Sequence, residues 1–384
     1  MRIVHVITRL IVGGAQENTI LTCEALHRAG REVTLIAGPT HGPEGSLVAR
    51  AAAGGYRYIE CPPLLRQIAP LNDWQASADL RKLFRDLRPD VVHTHSSKAG
   101  ILGRRAARAT GCSCIVHTIH GMSFNRTQSP MVRWAFRAAE RSCAAMTHHF
   151  IAVSDAMVRQ AVAAGLAPRE RFTTIYSGME TERFDPAQYD RGAVRRGWNV
   201  ASDEVVVGVV ARLFRNKGYE VLIPAMVAAL RGNPGLRFVW IGDGAQRDDY
   251  ESQLRRLGIR ERVTLTGLVR PEEIPGLLAG VDLLAHASAW EGLPRAVVQA
   301  LLMERPVISF DVDGAPEVVR PGETGLLAPL GDTQKLAEAI LQLAGDPEGR
   351  RRMGRAGRAL CLPRFDHRRV GAEIDALYQR LRGG

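Results

Sequence analysis

Glu291-Gly-Leu-Pro-Arg-Ala-Val-Val-Gln299 follows the apolar run Val281–His286, which reads as a short buried strand. Pro294 suits the first position of a helix, where it has no N–H to waste and its φ is pre-set. Glu291, Gly292 and Leu293 then occupy the strand-to-helix turn, and Gly292 lets backbone approach a ligand closely. The free N–H groups of the first helical turn carry positive partial charge, so the turn offers a phosphate site beside a carboxylate that can grip hydroxyl groups. Phosphate and polyol held side by side describe a nucleotide sugar.

Further groups of the same kind recur after other apolar runs. Arg212-Leu-Phe-Arg-Asn-Lys217 places two cations five residues apart on one loop, able to converge on a diphosphate as a planar fork and a compact charge. Gly13-Gly14 opens a helix and permits close approach to an anion, although the G-x-G-x-x-G spacing of a dinucleotide site is absent. Gly242-Asp243-Gly244 forms a turn at another strand end. His120 ends the run Ile115–Ile119; a histidine there is often a satisfied core residue. His93 and His95 end a further strand, and packing is the expected role for both. Asp311-Val-Asp313 has the form of a metal-binding D-x-D, and no other cluster has ligand spacing. The expectation is no essential metal, with Arg212, Lys217 and helix N-termini as the counter-charge.

The chain that must position these groups has 384 residues, enough for two ordinary domains. No run approaches the ~20 apolar residues needed to span a bilayer. The strand-like start Met-Arg-Ile-Val-His-Val-Ile-Thr lacks a signal-peptide core, so a cytoplasmic protein is expected. Six scattered cysteines, with Cys112-x-Cys114 outside zinc spacing, read as reduced thiols. The net charge of +11 is uneven: residues 1–178 hold 22 Lys and Arg against 12 Asp and Glu, or +10, and the remainder holds 29 against 28, or +1. A basic first half suits an anionic membrane surface or a pyrophosphate-bearing substrate; nothing interleaves aromatics with cations as nucleic-acid binders do.

Apolar runs alternate with helical stretches, as in βαβ units. Strands are expected at Ile3–Ile7, Glu32–Ala37, Val91–His95, Ile115–Ile119 and Phe150–Val153, then at Val205–Val210, Phe238–Ile241, Arg262–Leu265, Val281–Ala285 and Pro306–Phe310. Helices are expected at Gln16–Ala29, Asp73–Leu87 and Met131–Thr147 among others. This is an α/β chain with two open parallel sheets, each binding at the carboxyl ends of its strands.

The segment Glu291–Gln299 resembles the E-x7-E signature of family 4 glycosyltransferases, retaining enzymes of the GT-B fold, and nearly the whole chain is similar to that family. It departs at Gln299, where the family usually has Glu. The resemblance implies two Rossmann-like domains facing a central cleft: residues 1–178 for the acceptor, 200–362 for the nucleotide sugar, 179–199 as linker, and a helix at about 366–384 crossing back. It implies that Glu291 holds sugar hydroxyls. Arg212 and Lys217, matching the family's R-x4-K, stabilise the departing nucleoside diphosphate, and Gln299 meets the ribose. Gly13 and Gly14 then face the pyrophosphate, and His120 touches the donor sugar. The Gly292-Leu293-Pro294 turn and Gly242-Asp243-Gly244 line the donor site, and the backbone at Leu268 reads the base, UDP being the default.

On the acceptor side, Arg133, Arg137 and Arg141 recur at helical spacing beside Trp134 and Phe136. That pattern suits either a membrane-interface helix or a solvated basic face over a core-facing aromatic pair. Lys98 sits where an acceptor phosphate would meet it, and Thr94–Gly103 resembles members that extend lipid-linked or capsular oligosaccharides. The expectation is a metal-independent, retaining hexosyl- or N-acetylhexosaminyl-transferase acting on a glycan or polyprenyl-linked acceptor, peripheral on the inner face of the cytoplasmic membrane. A nucleotide-sugar epimerase on the same fold and a weakly catalytic membrane-surface scaffold remain as alternatives.

Overall fold

The structure is a computed structural model describing residues 1–42, 45–125 and 128–383. The chain forms two compact units, Met1–Met179 with Arg364–Gly384, and Glu180–Pro363. Each is a parallel sheet flanked by helices, the layering that βαβ repeats impose.

The first unit contains β1 (Arg2–Ile7), β2 (Glu32–Ala37), β3 (Arg57–Glu60), β4 (Val91–His95), β5 (Cys114–Ile119), β6 (His149–Ala152) and β7 (Phe172–Thr174). They lie in the order β3-β2-β1-β4-β5-β6-β7. All pairings are parallel. Strands β4, β5 and β6 are buried along their whole length, as expected where helices cover both faces. One face is covered by the helix Gly14–Arg28 and by the terminal helix His367–Gly383, whose Val370, Ile374 and Leu377 join the core cluster of Ile3, Ile20 and Leu26. Arg31 fastens this helix with two 2.8 Å bonds to Asp375. The chain leaves and re-enters the unit side by side: Met179 N–H donates to Phe365 O at 2.7 Å, and His367 N–H to Met179 O at 3.0 Å.

The second unit contains β8 (Val205–Val210), β9 (Leu236–Ile241), β10 (Val263–Leu265), β11 (Leu283–His286), β12 (Val307–Phe310) and β13 (Gly325–Ala328). Their order is β10-β9-β8-β11-β12-β13, again all parallel. Residues 180–199, expected as a linker, belong to this unit. Arg191 and Arg195, one turn apart on the short helix Arg191–Gly197, both bind Asp282, at 2.7 and 3.0 Å, just before β11.

Strands β3, β7 and β13 were not foreseen. Each is an edge strand of three or four residues with partly exposed positions, so it leaves no continuous apolar run.

Candidate active site

In an open parallel sheet, ligands bind beyond the carboxyl ends of the strands where strand order reverses. In the second unit that point lies between β8 and β11. The loop after β8 carries Lys217 and the loop after β11 carries Glu291, and Lys217 Nζ donates to Glu291 Oε1 at 2.5 Å. Gly218 makes the approach possible. It sits at φ +77, and a Cβ there would lie 1.8 Å from Ala287 O, so the two loops touch backbone to backbone.

The Glu291 carboxylate is held ionised. Burial alone would raise its pKa, but Lys217, neighbouring His286 and hydrogen bonding outweigh burial and lower it. His286 Nε2 lies 3.9 Å from Glu291 Oε1. Burial pushes the His286 pKa down to about 4, with Glu291 opposing and Lys217 assisting, so the ring is neutral at pH 7. The Glu291 backbone is fixed from β12: its N–H donates to Asp313 Oδ2 at 2.9 Å. Asp313 adopts φ +49, a left-handed conformation that costs a non-glycine residue about 1–2 kcal/mol. The second aspartate of the D-x-D sequence thus positions the loop of Glu291.

The other expected donor residues of this unit are spread around the same sheet edge. Arg212 is exposed, its guanidinium 5.0 Å from the Phe214 ring centre. Such a contact is worth about 0.5–1 kcal/mol. Gly242 and Gly244 give the β9 loop its fit to the protein itself: a Cβ on either would lie 2.4 Å from a backbone oxygen, of Ala211 and Leu213 respectively. Asp243 accepts from Arg247 at 2.9 Å and from Gly244 N–H at 2.8 Å. Leu268, after β10, is exposed. Gly292 is buried and Leu293 half-buried. Pro294 is the N-cap, one position before the helix Arg295–Leu302, rather than its first residue. Gln299 is buried on that helix, only 9% exposed, with no hydrogen bond from its amide among the described residues.

The first unit reverses its strand order between β1 and β4. Gly13 caps the helix Gly14–Arg28 after β1 without a side-chain partner, so the amides of its first turn, Gly14 included, stay open to an anion. After β4, Ser96 holds φ +60 and its hydroxyl pairs with Thr8 Oγ1 at 2.7 Å. Behind this edge lies a network of imidazoles. His95 bridges His5 and His120, at 3.0 Å on each side. His93 contacts Tyr378 at 2.5 Å and Thr118 at 2.6 Å. Burial lowers the pKa of His5 to about 3 and of His120 to about 4, and drives those of His93 and His95 well down, so all four rings are neutral at pH 7. Lys98 is already engaged, by Asp73 and by the carbonyl of Gln67, and an acceptor phosphate would have to compete with both.

Sequence reasoning left four residues of these sites without the role the fold gives them. His286 and Asp313 are brought to Glu291 only by the strand order. His5 lies within the first strand, where a polar residue inside an apolar run is the one available signal. His95, expected to pack, is the direct partner of His120. The fold also groups His5, His93 and His95 with ring nitrogens within 4.8 Å of one another, a clustering that local spacing did not reveal. Those nitrogens face hydrogen-bond partners, His5 Nε2 excepted.

Two families match the two units in turn. Residues 13–178 match the glycosyl transferase 4-like domain, and residues 190–360 match the glycosyl transferases group 1. Among curated proteins, the D-inositol 3-phosphate glycosyltransferase of Nocardia farcinica is 30% identical over 370 residues, 89% of this chain and 79% of the relative. The UDP-Gal:alpha-D-GlcNAc-diphosphoundecaprenol alpha-1,3-galactosyltransferase of Escherichia coli is 27% identical over 349 residues, 90% and 88% of the two chains. Among solved structures, Anabaena Alr3699/HepE in complex with UDP and glucose superposes with a TM-score of 0.83 at 23% identity, covering 99% of both chains. The fold and site define a GT-B glycosyltransferase using a nucleotide sugar. The chain belongs to the family 4 type of these enzymes.

Proposed function

We propose that this glycosyltransferase moves a hexosyl or N-acetylhexosaminyl group from a UDP-sugar, with retention and without an essential metal, to a hydroxyl of a lipid-linked glycan. The Lys217–Glu291 pair at the strand-order reversal carries the reading. An ionised carboxylate there accepts bonds from sugar hydroxyls. The ammonium beside it, with Arg212, meets the charge that develops on the departing diphosphate, the service a metal ion performs elsewhere. Retention follows if the acceptor attacks on the face the diphosphate leaves. The leaving phosphate oxygen takes the acceptor proton, and the carbohydrate passes through a short-lived oxocarbenium ion. Glu291 is tied to Lys217 and Asp313 to the Glu291 N–H, so neither is disposed as a covalent nucleophile.

The lipid acceptor is supported from three sides. The Escherichia coli relative is named for a diphosphoundecaprenol acceptor. The first unit carries the basic excess. It also exposes Ile68, Leu71 and Trp74 near the start of one helix, and Met131, Val132 and Trp134 near the start of another. Those helices follow β3 and β5, so in a parallel sheet both starts lie at the carboxyl edge. Arg137 and Arg141 bind Ala164 O at 2.9 Å and hold a helix end. Of the three arginines at helical spacing, Arg133 and Arg141 are exposed and Arg137 is partly buried.

Thermal shift with a panel of nucleotide sugars, followed by product analysis with a polyprenyl diphosphate-sugar acceptor, tests the assignment. UDP-sugar stabilisation and an axial-to-axial linkage support it. An inverted anomer, loss of activity in chelator, or free altered donor without acceptor each contradict a stated part. Co-sedimentation independent of anionic lipid would remove the membrane.

A further inference from the structure

The imidazole chain behind His120 has a property that its members lack singly. His5 Nδ1 faces His95 Nε2 and His95 Nδ1 faces His120 Nε2, both at 3.0 Å. The outer nitrogens, His5 Nε2 and His120 Nδ1, are buried without a partner. Three neutral rings carry three N–H protons, and the two ring-to-ring bonds use one each. One proton is left over, and it sits at one end. Either His120 donates inward along the chain and His5 Nε2–H is stranded, or His5 donates outward and His120 bears Nδ1–H.

The two states differ in what they leave unmet. The first strands a donor inside the sheet, at a residue with no exposed surface. Burying an unmade hydrogen bond costs about 1–3 kcal/mol. The second leaves His5 a lone pair there, and orphaned acceptors are better tolerated than orphaned N–H groups. It places the N–H on His120, just after β5: its Nδ1 is buried too, but the residue is partly exposed where His5 has no exposed surface, so of the two ends it is the one beside solvent, where an oxygen can come to meet it. His93 cannot intervene, because Tyr378 and Thr118 occupy its two nitrogens.

We propose that His5 and His95 are positioning residues that fix His120 as the Nδ1–H tautomer, a neutral donor for a ligand oxygen at the carboxyl edge of the first sheet. That the oxygen belongs to a sugar rests on the function proposed above; the tautomer does not. Low pKa values, from burial, keep the three rings from meeting the spare-proton problem by protonation near neutral pH.

Long-range nitrogen–proton NMR on the full chain with 15N-histidine reads the tautomers directly. The expected pattern is Nδ1–H on His5, His95 and His120. His5→Leu removes the outward donor, so His120 should shift towards Nε2–H. The kcat should drop about 10–100-fold, the scale on which orienting partners act, while KM for the donor sugar nucleotide changes by no more than roughly threefold. In His5→Asn, the amide nitrogen takes the place of Nδ1 and should restore both the His120 tautomer and most of kcat. Nε2–H on His120 in the unaltered protein, an unchanged His120 tautomer in His5→Leu, or stoichiometric zinc uptake that shifts the His5, His93 and His95 resonances would overturn the proposal. If no nucleotide sugar is turned over at all, the functional reading fails while the NMR result stands or falls independently.

Discussion

Asp313 Oδ2 accepts the backbone N–H of Glu291 at 2.9 Å, so a strained residue after β12 sets the loop that carries the site's carboxylate after β11. Glycine is the residue that φ +49 prefers, and Asp313→Gly would relieve about 1–2 kcal/mol of backbone strain while losing a carboxylate hydrogen bond of about 1.5–3 kcal/mol. The strain relief offsets much of the loss, so the melting temperature should fall only slightly. Turnover should nonetheless fall about tenfold, because Glu291 is no longer held in place. Asp313→Ala keeps the strain and loses the bond, and should also melt lower. Undiminished turnover in Asp313→Gly would show that the bond is incidental.

Lys217→Ala removes the cation nearest Glu291. The loss of a charge partner made in the transition state should lower kcat by roughly 10²-fold or more. The carboxylate loses the Lys217 contribution that holds its pKa down, so its pKa should rise. Steady-state kinetics check the first effect, and the acid limb of kcat/KM the second. Near-normal turnover would remove Lys217 from the site.

Gln299 is the position at which the chain departs from its family's pattern. An amide bonds hydroxyls without the charge assistance a carboxylate gives, and the difference between neutral and charged hydrogen bonds is about 1 kcal/mol. Gln299→Glu should therefore tighten UDP binding by roughly fivefold in titration calorimetry. Weaker binding would mean that burying the charge costs more than any contact to the nucleotide returns.

Much of this site was legible because its chemistry is local in sequence. Lys217, Glu291 and Gln299 stand on short loops or helix starts between recognisable strands, and glycines mark the turns. What stayed hidden comes from strand order. Residues 286, 291 and 313 meet because β11 lies beside β12. His5, His95 and His120 meet because β1, β4 and β5 are neighbours although far apart in sequence. The glycines illustrate the limit of a motif. A Cβ on Gly242 or Gly244 would meet the protein's own backbone, so packing alone already requires glycine at both, whatever their amides face.

Gly218→Ala tests the loop contact that brings Lys217 to Glu291. The substitution adds a left-handed alanine, about 1–2 kcal/mol, and a methyl group 1.8 Å from Ala287 O that backbone must move to admit. The second unit should lose at least a few kcal/mol in denaturant titration. UDP-induced stabilisation should weaken with it. An alanine variant of unchanged midpoint would mean that the loops do not pack as described.

The buried histidines set how the protein meets acid. His5, His93, His95, His117 and His120 all lie in the first unit with pKa values lowered by burial, His5 to about 3 and His120 to about 4. The second unit has His286, lowered to about 4. In the unfolded chain each ring takes up a proton below its ordinary value of 6.5. Between that value and the depressed one, the unfolded state binds more protons, so stability falls as pH falls. The loss begins near pH 6.5 and levels off below about 4 for His120 and His286, and below about 3 for His5. A shift of this size on a fully buried ring is worth several kcal/mol, at about 1.4 kcal/mol per pH unit. Glu291 contributes in a lower window, because its depressed carboxyl loses its advantage only below its ordinary 4.5. With five such rings against one, the first unit should open before the second at pH 5, and the order should be less marked at pH 7.5. Hydrogen exchange read by mass spectrometry and corrected for intrinsic rates locates the opening. Earlier opening of β8–β13 at pH 5 would contradict the burial of the imidazole chain.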